Sequence, residues 1–215
     1  VGDLMRAEIA AGTRLGSELR AHAEAGTLAP NDVITSLLRP HLLQAARRST
    51  STYLVLDGYP RNKAQAQQLE LLLVEALGRP NAAPTGTNVD LVLELQLRTD
   101  LLLRKAAGRQ VCTGCGRGYN TVHIEESLRG IHMPAILPSQ PGVCDQCGGT
   151  LASRVDDHPD IVARRLIDYH RVAGSILDWY RPKGVVRQLG VEASTDVCGP
   201  RIIEAVCRAL CLPSP

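Results

Sequence analysis

The sequence predicts an α/β fold: a parallel sheet flanked by helices and interrupted by one small inserted lobe. Three observations carry this reading. Short apolar runs at 53–56 and 89–97 alternate with stretches of helical period. Residues 108–157 lose that periodicity and become rich in Gly, Cys, Pro and polar side chains. Inside that stretch, two C-x-x-C elements stand 28 residues apart. At 215 residues the chain is long enough for one domain with its own core plus such a lobe.

Taken in order, residues 3–24 read as helical, with Leu4, Met5, Ile9, Leu15 and Leu19 on one face and breaks at Gly12 and Gly16. Asn31-Asp32 caps a second helix carrying Val33, Ile34, Leu37 and Leu38, which Pro40 is expected to bend. Tyr53-Leu54-Val55-Leu56 is continuously apolar and ends in Asp57-Gly58. It predicts a buried parallel strand with polar groups at its C-terminal edge. A helix over 64–77, a loop over 79–88, a strand over 89–97 and a helix over 99–107 follow. After the lobe come a helix over 159–181, a last strand at Val185-Val186 and a last helix over 199–210.

Composition narrows the function classes. A net charge of +2 points to neither nucleic acid nor a membrane surface. No apolar run approaches the roughly 20 residues that span a bilayer. Phe is absent, with five Tyr and one Trp, so the core is aliphatic.

Of the seven cysteines, four form the pairs Cys112/Cys115 and Cys144/Cys147. In a chain of this size such pairs favour a metal site in a reducing compartment over a disulfide scaffold. Each C-x-x-C puts two thiolates on one tight turn, and Gly116 and Gly148-Gly149 suit the positive φ of such knuckles. Four sulfurs leave no open coordination position, so the zinc they imply is structural. His123 and His132 lie between the pairs and are the alternative ligands; the all-cysteine set is preferred. Cys198, Cys207 and Cys211 read as small apolar side chains.

Further motifs are shared with one family. Gly2-Asp3-Leu4-Met5-Arg6 resembles the TGDLLR element of adenylate kinases, and Leu56-Asp57-Gly58-Tyr59-Pro60-Arg61 with Gln65 resembles their LDGFPR…Q element. Gly108-Arg109-Gln110-Val111-Cys112 resembles the opening of the family's zinc-type lid. Arg154-x-Asp156-Asp157 with Arg164-Arg165-Leu166 resembles its close. The resemblance is to the long form with a zinc-binding lid, a nucleoside monophosphate kinase-like fold.

It implies phosphoryl transfer between ATP and AMP to give two ADP. It also implies Mg bound with ATP and Zn as a structural ion of the lid. Arg6 and Arg61 would hold the AMP phosphate, Gly58 would admit the adenine, and Gln65 would read its edge. Arg109, Arg154 and Arg165 would close over the ATP phosphates. Asp57, and similarly Asp3, would position magnesium through water, and Asp156 and Asp157 would position arginines. The implied division is 1–107 for the AMP-binding region and part of the core, 108–157 for the lid, and 158–215 for the rest of the core. The implied setting is the cytoplasm or the mitochondrial matrix.

The chain also departs from the family. Val1 stands where a hydroxyl residue is usual, and Lys105 where arginine is, so the forked donor geometry is lost. Extra sequence around Ile131–Pro141 brings Ile131, Met133, Ile136 and Leu137, read equally as a docking surface or a locally packed loop. The loop at 79–88 is expanded as well. No G-x-x-x-x-G-K-[ST] occurs in the 215 residues, so the phosphate-cradling loop and the first central strand are missing. The expectation is a natural polypeptide that extends upstream of Val1. The competing expectation is a degenerate, inactive adenylate-kinase-like subunit serving a larger assembly through the lid and 79–88 insertions. A separate nucleic-acid role for the lobe has little support, since its spacer has few aromatics and no concentrated basic patch.

Overall fold

The computed structural model describes residues 1–25, 27, 29–48, 53–78 and 86–213. Among them the elements run α1 (Gly2–Ala10), α2 (Arg14–Ala25), α3 (Asn31–Arg48), α4 (Lys63–Leu77), β1 (Val92–Gln96) and α5 (Thr99–Ala107). Next come β2 (Arg109–Cys112), β3 (Gly118–Asn120), β4 (Ile124–Glu126), β5 (Ile131–Met133) and β6 (Leu151–Ala152). The chain finishes with α6 (Pro159–Tyr180), β7 (Val186–Gly190) and α7 (Thr195–Ala209). β1 pairs with β7. The Val92 N–H donates to Val185 O and the Val191 N–H to Gln96 O, both at 2.9 Å, so register rises together along the two strands and they run parallel.

The chain forms two compact units. The first comprises Val1–Val92 and Arg165–Val186. Its core is aliphatic: Leu19, Val33, Ile34, Leu37, Leu38, Leu42, Leu69 and Leu72 close around Tyr59. The expected break between α1 and α2 falls at residues 11–13, where Gly12 takes φ +65°. Gly16 serves a different purpose, since a Cβ there would lie 2.0 Å from the Glu8 carbonyl oxygen. Only glycine lets α2 pass so close to α1. α3 runs through Pro40 as one helix. Asn62 caps α4 by accepting the Gln65 N–H at 2.8 Å, and Gly78 ends it at φ +64°. A second cluster joins Ala66, Tyr180 and Val185 with Val89, Val92 and Ile176 at its edge.

One expectation fails here. Residues 54–56 form no strand, and Tyr53, Leu54 and Val55 are 58%, 49% and 86% exposed. A continuous apolar run reports what a chain would bury. Burial itself needs strands on either side, and among the described residues none pairs with this segment. Residues 79–85 of the expected long loop lie outside the described residues.

The second unit comprises Leu93–Arg164 and Arg187–Pro215. β3, β2 and β6 form an antiparallel three-stranded sheet, and β4 and β5 form a hairpin. Leu101, Ile124 and Ile131 are buried together, with Leu97, Val122 and Met133 against them. The apolar insertion around Ile131–Pro141 therefore divides: Ile131 and Met133 pack locally, whereas Ile136 and Leu137 are 49% and 63% exposed. The Lys105 ammonium donates to the carbonyls of Val122, Met133 and Pro134 at 2.7, 3.0 and 2.9 Å. This lysine fastens the hairpin to α5, a role not evident from its place in the motif. α7 begins at Thr195, earlier than expected, because Pro200 lies within the helix instead of opening it.

Candidate functional site

In the first unit the turn after residue 56 gathers several of the residues singled out by sequence. Gly58 takes φ +66°, a conformation open to glycine, and the Tyr59–Pro60 peptide is cis. The Arg61 Nε donates to Gly58 O at 2.9 Å, and the Arg61 N–H donates to Gln65 Oε1 at 2.7 Å. Gln65 is 2% exposed, so its side-chain oxygen is committed to ordering this turn. Arg61 reaches solvent, yet its pKa lies below the ordinary arginine value. The protein around it is the largest cause, the positive charge of Arg165 the next, and Asp57 opposes both. Two guanidiniums in each other's field create a demand for an anion. Arg6 instead pairs with Asp3 one turn earlier on α1 and folds over Gly2. Asp57 is exposed at the turn.

In the second unit Arg109 opens β2 and pairs with Asp157 through two donors. The Asp157 side chain is 4% exposed, and its hydrogen bond raises the Arg109 pKa. Asp157 sits on a 3-10 turn, Val155–Asp157, whose N–H returns to Arg154 O at 3.0 Å. Arg154 pairs with Asp156 at 3.3 Å. The two carboxylates therefore help to hold the two arginines.

The four cysteines converge. Their sulfurs all lie within 4.8 Å of one another, with Cys112–Cys147 at 3.5 Å and Cys115–Cys144 at 3.6 Å. A tetrahedral ion bonded to sulfur at about 2.3 Å needs sulfurs about 3.8 Å apart, so the set fits such an ion. Cys112 and Cys144 are buried, and Cys115 and Cys147 are exposed. N–H groups of Gly114 and Gln146 point at Cys112 and Cys144, each at 3.4 Å. Burial works against ionisation of Cys144, but the donors from Tyr119, Gln146 and Cys147 prevail and hold its pKa at about 6. Burial and the bond to Cys144 push the Tyr119 hydroxyl up to about 12, so it remains a donor.

Sequence reasoning missed Tyr119 and Asp145. Tyr119 Oη accepts the Asp145 N–H at 2.8 Å and lies 3.5 Å from Cys144 Sγ, while Asp145 Oδ1 accepts the Ser139 N–H at 2.8 Å. The signal available was a lone lid tyrosine and an aspartate inside the second C-x-x-C. Cys198 is buried, as expected, whereas Cys207 is half-buried and Cys211 exposed.

These arrangements agree with a known family. A model of the adenylate kinase family matches residues 1–185. The chain belongs to the adenylate kinase family. The adenylate kinase of Streptomyces griseus is 34% identical over 205 residues, 95% of this chain and 83% of the relative. That of Thermodesulfovibrio yellowstonii is 32% identical over 209 residues, 97% of this chain and 84% of the relative. That of Symbiobacterium thermophilum is 34% identical over 205 residues, 95% and 84% of the two chains. Its adenylate kinase fold is α/β, with the β1–β7 pair and two small antiparallel sheets. Among the described residues no helix is long and apolar enough to cross a membrane.

Proposed function

We propose that the protein works as an adenylate kinase, ATP + AMP ⇌ 2 ADP, with residues 1–107 and 158–215 supplying the monophosphate side and core and 108–157 the lid. The observation that carries this reading is Arg61: a guanidinium ordered by Gly58 and Gln65 and facing the charge of Arg165. A phosphate dianion would relieve that repulsion, and planar guanidiniums bind it in two-point fashion. Arg6 would join them on AMP by exchanging its exposed pairing with Asp3 for the ligand.

Gly58 would let the base approach the backbone. Gln65 would act on the base chiefly by fixing that turn. Arg109, Arg154 and Arg165 would neutralise the ATP phosphates as charge moves along the reacting group, which is most of what such catalysis demands. Asp57 would orient water around a magnesium ion brought with ATP, which screens phosphate charge. Cys112, Cys115, Cys144 and Cys147 would hold zinc, whose contribution is to tie the lid's two knuckles together. Phosphate cradling needs a Gly-rich loop that this stretch of sequence does not contain, so activity is assigned to protein carrying one.

A coupled assay of ADP formation on the full-length protein tests the reading. Wild-type protein should turn over ATP and AMP, and Arg61→Ala should lower kcat/KM by about 100-fold or more. Absence of turnover in the wild type would sink it. That result would favour the second reading, a catalytically inactive subunit of a larger assembly, which the exposed Ile136 and Leu137 support.

A further inference from the structure

The β4–β5 hairpin carries a second group of ligand atoms, separate from the four cysteines. Its register sets Glu125 directly opposite His132, and His123 lies two residues before Glu125. Side chains alternate between the two faces of a hairpin. Ile124, Ile131 and Met133 accordingly turn inward against Leu101, while His123, Glu125 and His132 share the outer face. Glu125 Oε2 bonds His132 Nδ1 and lies 4.0 Å from His123 Nε2. The two rings meet edge to face with centroids 5.5 Å apart, and the three ligand atoms all lie within 4.8 Å of one another.

We propose that His123, Glu125 and His132 form a second, exchangeable site for a divalent transition ion of the zinc, cobalt and nickel class. Two neutral imidazoles and a carboxylate select such ions over magnesium or calcium, which prefer all-oxygen sets. A tetrahedral ion bonded at about 2.1 Å asks for ligand atoms about 3.4 Å apart. The three side chains are 54%, 47% and 57% exposed, so they are free to close that gap by rotamer adjustment. The rigid part is the backbone register, fixed by the inward Ile124 and Ile131, which are 0% and 3% exposed. Three protein ligands leave at least one coordination position to water or to a bridging donor, unlike the closed cysteine set. An ion there takes the place of the Glu125–His132 hydrogen bond and ties β4 to β5.

The test titrates cobalt(II) into the full chain after zinc loading and desalting, with zinc content measured before and after. The expected result is one further equivalent of cobalt showing weak d–d bands without thiolate charge-transfer absorption. Paramagnetic broadening should fall on the His123 and His132 ring protons. Loss of one partner outside the ligand shell costs about 10–100-fold in metal affinity, so His132→Ala and His123→Ala should each weaken binding at least about 10-fold. Glu125→Gln, which keeps the side-chain shape, should weaken it too, with bound zinc unchanged in all three variants. Three results would overturn the proposal: no cobalt bound to the zinc-loaded chain, binding indifferent to both histidine variants, or cobalt appearing only with charge-transfer bands.

Discussion

Arg109 grips Asp157 through two parallel donors, Nε to Oδ2 at 2.7 Å and Nη2 to Oδ1. The carboxylate is buried and the guanidinium is 38% exposed, so the pair has a fixed base and an open outer edge. An arginine held this way keeps its remaining N–H groups aimed in one direction without losing rotamer entropy when an anion arrives. Asp157→Asn keeps the shape and removes the charge. It should lower stability by about 1–3 kcal/mol, less than a fully buried pair because Arg109 meets solvent, as read by urea titration. It should also raise the KM for ATP more than that for AMP in the full-length enzyme.

Gly16 and Gly174 make a contrasting pair. A methyl at Gly16 would collide with the Glu8 carbonyl, a backbone atom that cannot rotate away, whereas one at Gly174 in α6 meets nothing within 4 Å. Gly16→Ala should destabilise by about 1–3 kcal/mol through forced separation of α1 and α2. Gly174→Ala should stabilise by up to about 1 kcal/mol through helix propensity. Opposite shifts in the denaturation midpoint are the expected outcome.

Lys105 satisfies three carbonyls at the base of the β4–β5 hairpin. Lys105→Met retains the aliphatic stem and deletes the donors. The expected cost is about 1.5–3 kcal/mol, typical of a charged hydrogen bond. Faster amide exchange should be confined to β4, β5 and the end of α5. Uniform loosening of the whole chain would contradict this role.

Chelation of the metal proposed for the four cysteines should unfold the β2–β3–β6 sheet while leaving α3 and α4 intact. Near Tyr119 this should appear as a fluorescence change with little loss of helical dichroism. Metal must displace thiol protons, so affinity should rise with pH. The slope of log affinity against pH counts the thiol protons that leave as the metal binds.

Much of the helical architecture was legible because apolar period and capping residues are local signals. The helices at 63–77 and 99–107 fall where Asn62, Gly78 and Gly108 place their ends. The segment at 53–56 was misread because its burial depends on partners that local pattern cannot supply. The cysteine constellation was readable from spacing alone, and the structure brings its sulfurs together. Tyr119, Asp145 and Lys105 were not, since each acts through hydrogen bonds to residues 17–29 positions away. The His123–Glu125–His132 face lies within ten residues and was hidden differently, since the two histidines were weighed only as substitutes for a cysteine. Strand register, not spacing, makes them neighbours of Glu125.

The lid's cluster of Cys112, Tyr119, Cys144 and Leu151 is small, and two of its four members are sulfur ligands. With the proposed metal in place, its persistence becomes a matter of mass action, set by how much free metal the surroundings offer. The aliphatic core of α2, α3 and α4 is indifferent to that supply. On that proposal one polypeptide carries two kinds of cluster whose integrity answers to different variables, temperature for the aliphatic core and metal availability for the cysteine sheet.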